Sequence, residues 1–184
     1  MSTWIFGYGS LIWRPDMPYL TAQPARLEGY VRRFWQGSHD HRGTPDQPGR
    51  VVTLIPKLGD VCDGIAYLVE DDLIADTFEK LDYREKNGYE RLTVKLQIPQ
   101  LSKSQCAPHI EGRVYIAAQD NPAFLGDAPL EAIAQQISQC VGPSGSNLDY
   151  LLDLAAALRH LEIRDEHVFA LENLVRSGAS TRPD

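Results

Sequence analysis

Cysteine is scarce: Cys62, Cys106 and Cys140 are the whole set, and no two stand as a CxxC pair. An odd, scattered trio offers neither a disulfide framework nor a zinc-binding spacing, and it points to a reducing, cytoplasmic setting. A basic surplus is missing as well, since 18 Lys and Arg face 25 Asp and Glu for a net charge of −7. That balance disfavours broad phosphate-driven attachment to nucleic acid or to an anionic membrane, while leaving one local basic pocket open. No apolar run approaches the roughly 20 residues that cross a bilayer, and Asp153 interrupts the stretch from Leu151 to Leu158. The amino terminus has no basic segment ahead of its apolar stretch, and Arg14 comes too early for a secretory signal, so export is not expected. No internal repeat of fixed period is visible.

What remains is an ordinary globular composition, 43% hydrophobic and 23% charged over 184 residues, enough to bury a core without staples. A single domain over residues 1–176 is expected, with a flexible tail at 177–184. Aromatic and β-branched runs bounded by Gly, Pro or Asp predict strands at Trp4–Tyr8, Arg26–Trp35, Val51–Ile55, Ile65–Val69, Tyr89–Ile98 and Arg113–Ala118. Between Val69 and Tyr89 the period changes: Leu73, Ile74, Thr77, Phe78 and Leu81 predict one amphipathic helix, opened by Asp71 and Asp72 and stopped by Asn87-Gly88. Three more helical stripes follow, Leu130 to Ile137, Leu151 to Leu158 and Val168 to Leu174. Gly142-Pro143-Ser144-Gly145 breaks between the first two, and Ser146 or Asn147 is placed to cap the next. Strands first and helices last predict an α+β fold, a curved mixed β-sheet or small barrel with flanking helices.

Four clusters carry possible chemistry. Gly7-Tyr8-Gly9-Ser10-Leu11 follows a strand and lacks the third glycine of a dinucleotide fingerprint. It reads either as a tight turn or as a loop whose inward N–H groups bind a carboxylate or oxyanion. Asp82 and Glu85 lie three residues apart at a helix end, where the dipole and burial would raise a carboxyl pKa while Arg84 and Lys86 oppose it. That pair is either a solvated helix end or the seat of a base. Arg26, Arg32, Arg33, Arg42 and Arg50 give a local positive excess, either a basic strand or a surface for a small anion. His39 and His41 alternate as strand residues do, without a third ligand, and no metal site is expected.

Taken together these segments resemble the ChaC family of glutathione-specific γ-glutamylcyclotransferases. The likeness rests on Trp4-Ile5-Phe6-Gly7-Tyr8-Gly9-Ser10-Leu11-Ile12-Trp13, Arg32-Arg33-Phe34-Trp35-Gln36-Gly37-Ser38, Asp40-His41-Arg42-Gly43, Pro48-Gly49-Arg50-Val51-Val52-Thr53-Leu54 and Tyr83-Arg84-Glu85-Lys86. Shorter matches at Asp120-Asn121-Pro122, Leu125-Gly126, Ala128-Pro129-Leu130 and Gly142-Pro143-Ser144-Gly145 extend it over residues 4–175. Asn87 stands where the family usually has glycine, and His39 where it commonly has threonine.

The resemblance implies a γ-glutamylcyclotransferase-like fold, no metal and no organic cofactor. It implies glutathione as the small-molecule partner and a lyase-type reaction giving 5-oxoproline and cysteinylglycine. It makes Glu85 the catalytic base and acid and places substrate at Gly7, Tyr8, Gly9, Ser10 and Leu11. Tyr115 falls where the family has a substrate-contacting tyrosine, although a buried core tyrosine fits its strand pattern equally, and Arg42 is a candidate to face the glycyl carboxylate. The competing expectations are a cyclotransferase for another γ-glutamyl compound and a binding module without turnover.

Overall fold

The computed structural model describes residues 2–84, 88–99 and 109–179. They gather into two units, Met1–Val31 with Leu54–Ala118, and Arg32–Thr53 with Gln119–Asp184.

The first unit is built on five strands, β1 (Ser2–Gly7), β2 (Thr21–Ser38), β3 (Gly49–Glu70), β4 (Tyr89–Gln97) and β5 (His109–Ala117). They close into a barrel in the order β1-β3-β2-β4-β5. The segment from Arg32 to Thr53, which includes one end of β2 and one end of β3, belongs to the second unit. The sheet is mixed. β1 runs antiparallel to β3, from Ser2 opposite Glu70 to Gly7 opposite Ile65, and parallel to β5, with Trp4 opposite Gly112. β4 and β5 form an antiparallel ladder from Tyr89 opposite Ala117 to Gln97 opposite His109.

Three strands outrun their sequence signals by several residues, β5 among them, since it begins at His109 rather than Arg113. β2 begins at Thr21 rather than Arg26, and β3 joins the two short strands predicted at Val51–Ile55 and Ile65–Val69 into one. Pro56, Lys57, Leu58 and Gly59 read as a break, and Gly59 does adopt a left-handed φ of 85°. The strand continues through them because ladder hydrogen bonds to neighbours outweigh local turn chemistry.

α1 (Asp71–Arg84) opens with Asp71 and Asp72 at its positive pole. Leu81 is buried in one apolar cluster with Ile5, Leu11, Tyr67, Val69 and Tyr115, and Ile74 and Phe78 pack against it. Leu73, expected on that stripe, is exposed instead.

The second unit holds α2 (Leu130–Gln139), a small hairpin of β6 (Val141–Gly142) and β7 (Gly145–Ser146), α3 (Asn147–His160) and α4 (Glu166–Ala179). The three predicted helices are present, packed through Ile133, Ile137, Leu151, Leu154, Leu158 and Leu171, all fully buried. Ser146 is the cap of α3, its Oγ accepting from Asp149 N–H at 3.0 Å. α4 runs to Ala179, so residues 177–179, expected in the tail, are helical.

The arginines read as a possible anion surface are partly internal. Arg32 is buried against Asp165 at 2.6 Å. Arg50 is buried too, its guanidinium on Gln136 Oε1 and the carbonyls of Phe34 and Gly126. Its backbone is clasped by Asn147, which accepts from Arg50 N–H at 2.6 Å and donates to Arg50 O at 2.7 Å. His39 and His41 lie past the end of β2 in a bend, not on a strand face. Among the described residues no helix is long and apolar enough to cross a membrane.

Candidate active site

β1 ends at Gly7, and the chain passes through Tyr8 and Gly9 into a single 3-10 turn, Ser10–Ile12. A Cβ on Gly7 would stand 2.8 Å from the Cβ of Leu11, so glycine is what allows the turn to fold back over the strand. The turn closes with Ile12 N–H on Gly9 O at 2.9 Å and Arg14 N–H on Ser10 O at 2.8 Å. Leu11 O accepts from the Tyr67 hydroxyl at 2.6 Å. The carbonyls of Gly9, Ser10 and Leu11 are thus occupied. Among the described residues, nothing accepts from the backbone N–H groups of the same three. A tight turn with spent acceptors and available donors suits an anionic ligand.

Buried phenols fix this loop from behind. The Tyr8 hydroxyl donates to Tyr115 O on β5 at 2.7 Å. Tyr67, on β3, holds Leu11, and burial pushes its phenol up to about 12, with Tyr19 adding to the shift. The Tyr67 hydroxyl therefore remains a donor at neutral pH.

The carboxyl end of α1 meets the same region. Tyr115 donates to Asp82 Oδ1 at 2.5 Å, and Arg91 Nη1 lies 3.5 Å from the other oxygen of that carboxylate. Arg91 is directly opposite Tyr115 in the β4–β5 ladder and covers the Phe78 ring at 4.0 Å. Burial first, and the Asp82 carboxylate second, raise the Tyr115 phenol well above its usual value. Two residues on, Arg84 Nη2 donates to Ser10 Oγ at 2.6 Å. Its Nη1 lies 3.5 Å from Arg14 O and 3.6 Å from Asp16 Oδ2. A guanidinium thus stands directly behind the glycine turn.

Of the residues singled out in the sequence, Gly7, Tyr8, Gly9, Ser10, Leu11 and Tyr115 come together in this unit. Tyr115 has its ring in the apolar cluster and its hydroxyl on Asp82. Glu85, Lys86 and Asn87 lie outside the described residues, as does Cys106. Arg42 belongs to the second unit, where it donates to Ser146 O at 3.1 Å and lies over the Tyr150 ring. Among the described residues no three His, Cys, Asp or Glu side chains gather as a metal site.

Three pairings escaped the sequence reading: Arg84 with Ser10, Tyr115 with Asp82, and Tyr67 with Leu11. A hairpin alignment of β4 and β5 would have placed Arg91, a neighbour of the Asp82 carboxylate, opposite Tyr115, but not Asp82 itself. The three pairings themselves span 74, 33 and 56 residues of chain and leave no local trace.

Residues 3–178 match the family described as ChaC-like protein. The chain is 43% identical over 176 residues to glutathione-specific γ-glutamylcyclotransferase 1 of Danio rerio, covering 93% of this chain and 87% of that one. It is 45% identical over 182 residues to γ-glutamylcyclotransferase 2-3 of Arabidopsis thaliana, covering 96% and 89%. The crystal structure of a selenomethionine-labelled, glutathione-specific γ-glutamylcyclotransferase from yeast superposes with a TM-score of 0.89 at 32% identity, covering 96% of each chain. Barrel, glycine turn and helix end are thus found in a chain that matches the family from near one terminus to near the other, and the protein belongs to the ChaC-like family.

Proposed function

We propose that the protein is a glutathione-specific γ-glutamylcyclotransferase, an enzyme that cleaves glutathione into 5-oxoproline and cysteinylglycine. The activities named for its relatives support this reading. The observation in the chain itself that carries it is the hydrogen bond from Arg84, the last described residue of α1, to Ser10 in the glycine turn. It ties the residue preceding Glu85 to a loop of available amide donors.

In this reading the loop from Gly7 to Leu11 holds the γ-glutamyl group in a bent conformer. The substrate α-amine attacks the γ-carbonyl carbon, the new C–N bond closes a five-membered lactam, and the bond to the cysteinyl nitrogen breaks. No water enters. Because both reacting groups sit on one molecule, restricting the glutamyl chain supplies much of the rate. The amine, with a pKa of about 8, must lose a proton before attacking. Glu85 takes that proton and returns it to the departing cysteinyl amine. Loop N–H groups stabilise the oxygen that gains charge as the carbonyl becomes tetrahedral, or bind the glutamyl α-carboxylate. The odd, scattered trio of cysteines, with no CxxC pair, supports a cytoplasmic, reducing setting.

A substrate panel tests the proposal. Purified protein is expected to release 5-oxoproline from glutathione and much less from γ-glutamyl amino acids with other leaving groups. Equal turnover of the whole panel would remove the glutathione specificity, and thermal stabilisation by glutathione without product would leave only a binding module.

A further inference from the structure

Ser10 carries one hydroxyl in the glycine turn, and its Oγ accepts from Arg84 Nη2 at 2.6 Å. A guanidinium only donates, so one lone pair of the hydroxyl is taken and its O–H must point elsewhere. Among the described residues none accepts it. A cation bonded to the oxygen also makes its proton a stronger donor, because linked hydrogen bonds polarise one another. The rest of the guanidinium is held in place. Arg14 O lies 3.5 Å from Nη1 and Asp16 Oδ2 lies 3.6 Å away. Asp16 adopts a φ of 46°, a left-handed backbone uncommon outside glycine. Its carboxylate also pairs with Arg14 at 3.0 Å.

We propose that Arg84 is a positioning residue that acts through Ser10, aiming the Ser10 O–H at the α-carboxylate of the bound γ-glutamyl group. The proposal rests on the cyclotransferase reading above and adds to it the device that reads the fixed negative charge of the substrate. The α-carboxylate is the partner because Arg84 carries its charge permanently, as does a carboxylate, whereas the oxyanion exists only near the transition state. An interaction present in both ground and transition states appears in KM rather than in kcat.

The test measures KM and kcat for glutathione, with 5-oxoproline as product, in wild type, Arg84→Met, Ser10→Ala and the double variant, each checked by thermal melting. Each single change is expected to raise KM by roughly 10- to 100-fold, the range of a charge-assisted hydrogen bond, with kcat held within about threefold. The double variant is expected to be no worse than the weaker single by more than about threefold, since both remove one linked interaction. Independent, multiplying effects, or a loss confined to kcat, would overturn the proposal. Should Arg84→Met fail to fold, Arg84→Lys keeps a cation behind Ser10 and is expected to raise KM less than Ser10→Ala does; an equal or larger rise would overturn it. A wild type that releases no 5-oxoproline from glutathione would instead remove the reading on which the proposal stands.

Discussion

Tyr67 shows how single side chains keep the glycine turn in shape. Its buried hydroxyl is given to Leu11 O, so Tyr67→Phe leaves that carbonyl without its donor at an apolar site. A loss of about 1–3 kcal/mol in unfolding free energy is expected from urea denaturation, together with a raised KM as the turn loosens. His167 is the residue whose titration should show in stability. It accepts from Phe34 N–H at 3.1 Å, and burial, reinforced by Arg33 and Arg50 against Asp165 and Asp127, lowers its pKa to about 4. The unfolded chain then binds a proton near pH 6.5 that the folded chain refuses until about pH 4. The His167 contribution to stability should fall as pH drops through that window and be constant above it. Glu172, held below its usual value first by its hydrogen bond to Arg159, contributes its own loss only at lower pH. Denaturation midpoints against pH should therefore slope between about 6.5 and 4 in wild type and lose much of that slope in His167→Gln. An unchanged slope would assign the acid sensitivity to other groups. At this scale the sequence shows residue types but seldom partners. The two glycines and Ser10 are visible as a candidate anion loop, whereas Tyr8 and Tyr115 are 107 residues apart and meet only because β1 and β5 pair in parallel.

Asn147 illustrates the element scale, where a side chain fixes a helix start to a strand. It is fully buried and exchanges two hydrogen bonds with the backbone of Arg50, and a Cβ on neighbouring Gly49 would crowd its Oδ1 at 2.9 Å. Asn147→Ala is expected to cost about 2–4 kcal/mol, since it strands a buried N–H and a buried C=O. Ser146→Ala, which removes only the cap of α3, should cost about 1 kcal/mol. A cost for Asn147→Ala no larger than that of the cap would show that water replaces the clasp. The cap itself was legible, because Ser and Asn before an apolar stripe are start signals that act locally. The helices were legible for the same reason, their 3.6-residue period being written in Leu151, Leu154, Ala155 and Leu158. The full lengths of β2 and β3 were not. Strand continuation depends on a neighbour's backbone, so Pro56 and Gly59 looked like an end where the ladder carries on. Arg32 and Arg50 misled in the opposite sense: a basic residue counts as surface until its buried partner, here Asp165 or a set of carbonyls, comes from elsewhere in the chain.

For the molecule as a whole, the family likeness extends over residues 3–178 and carries more than any single motif, since several short segments in one order are far rarer than a glycine turn. Its acidic net charge and lack of basic excess suit a small-molecule enzyme better than a nucleic-acid binder. The proposed chemistry places one demand on the chain above all others, that an acid-base group beside the glycine turn move the proton from the attacking amine to the leaving amine. Glu85 is that group in the proposal. The direct measurement is 5-oxoproline release from glutathione by wild type and Glu85→Gln, with melting curves recorded for both. Wild type should turn over, and Glu85→Gln should lose at least about 100-fold in kcat, the lower range for removing a general base, while its melting temperature stays within a few degrees. A Glu85→Gln protein that is folded and retains wild-type kcat would contradict the account.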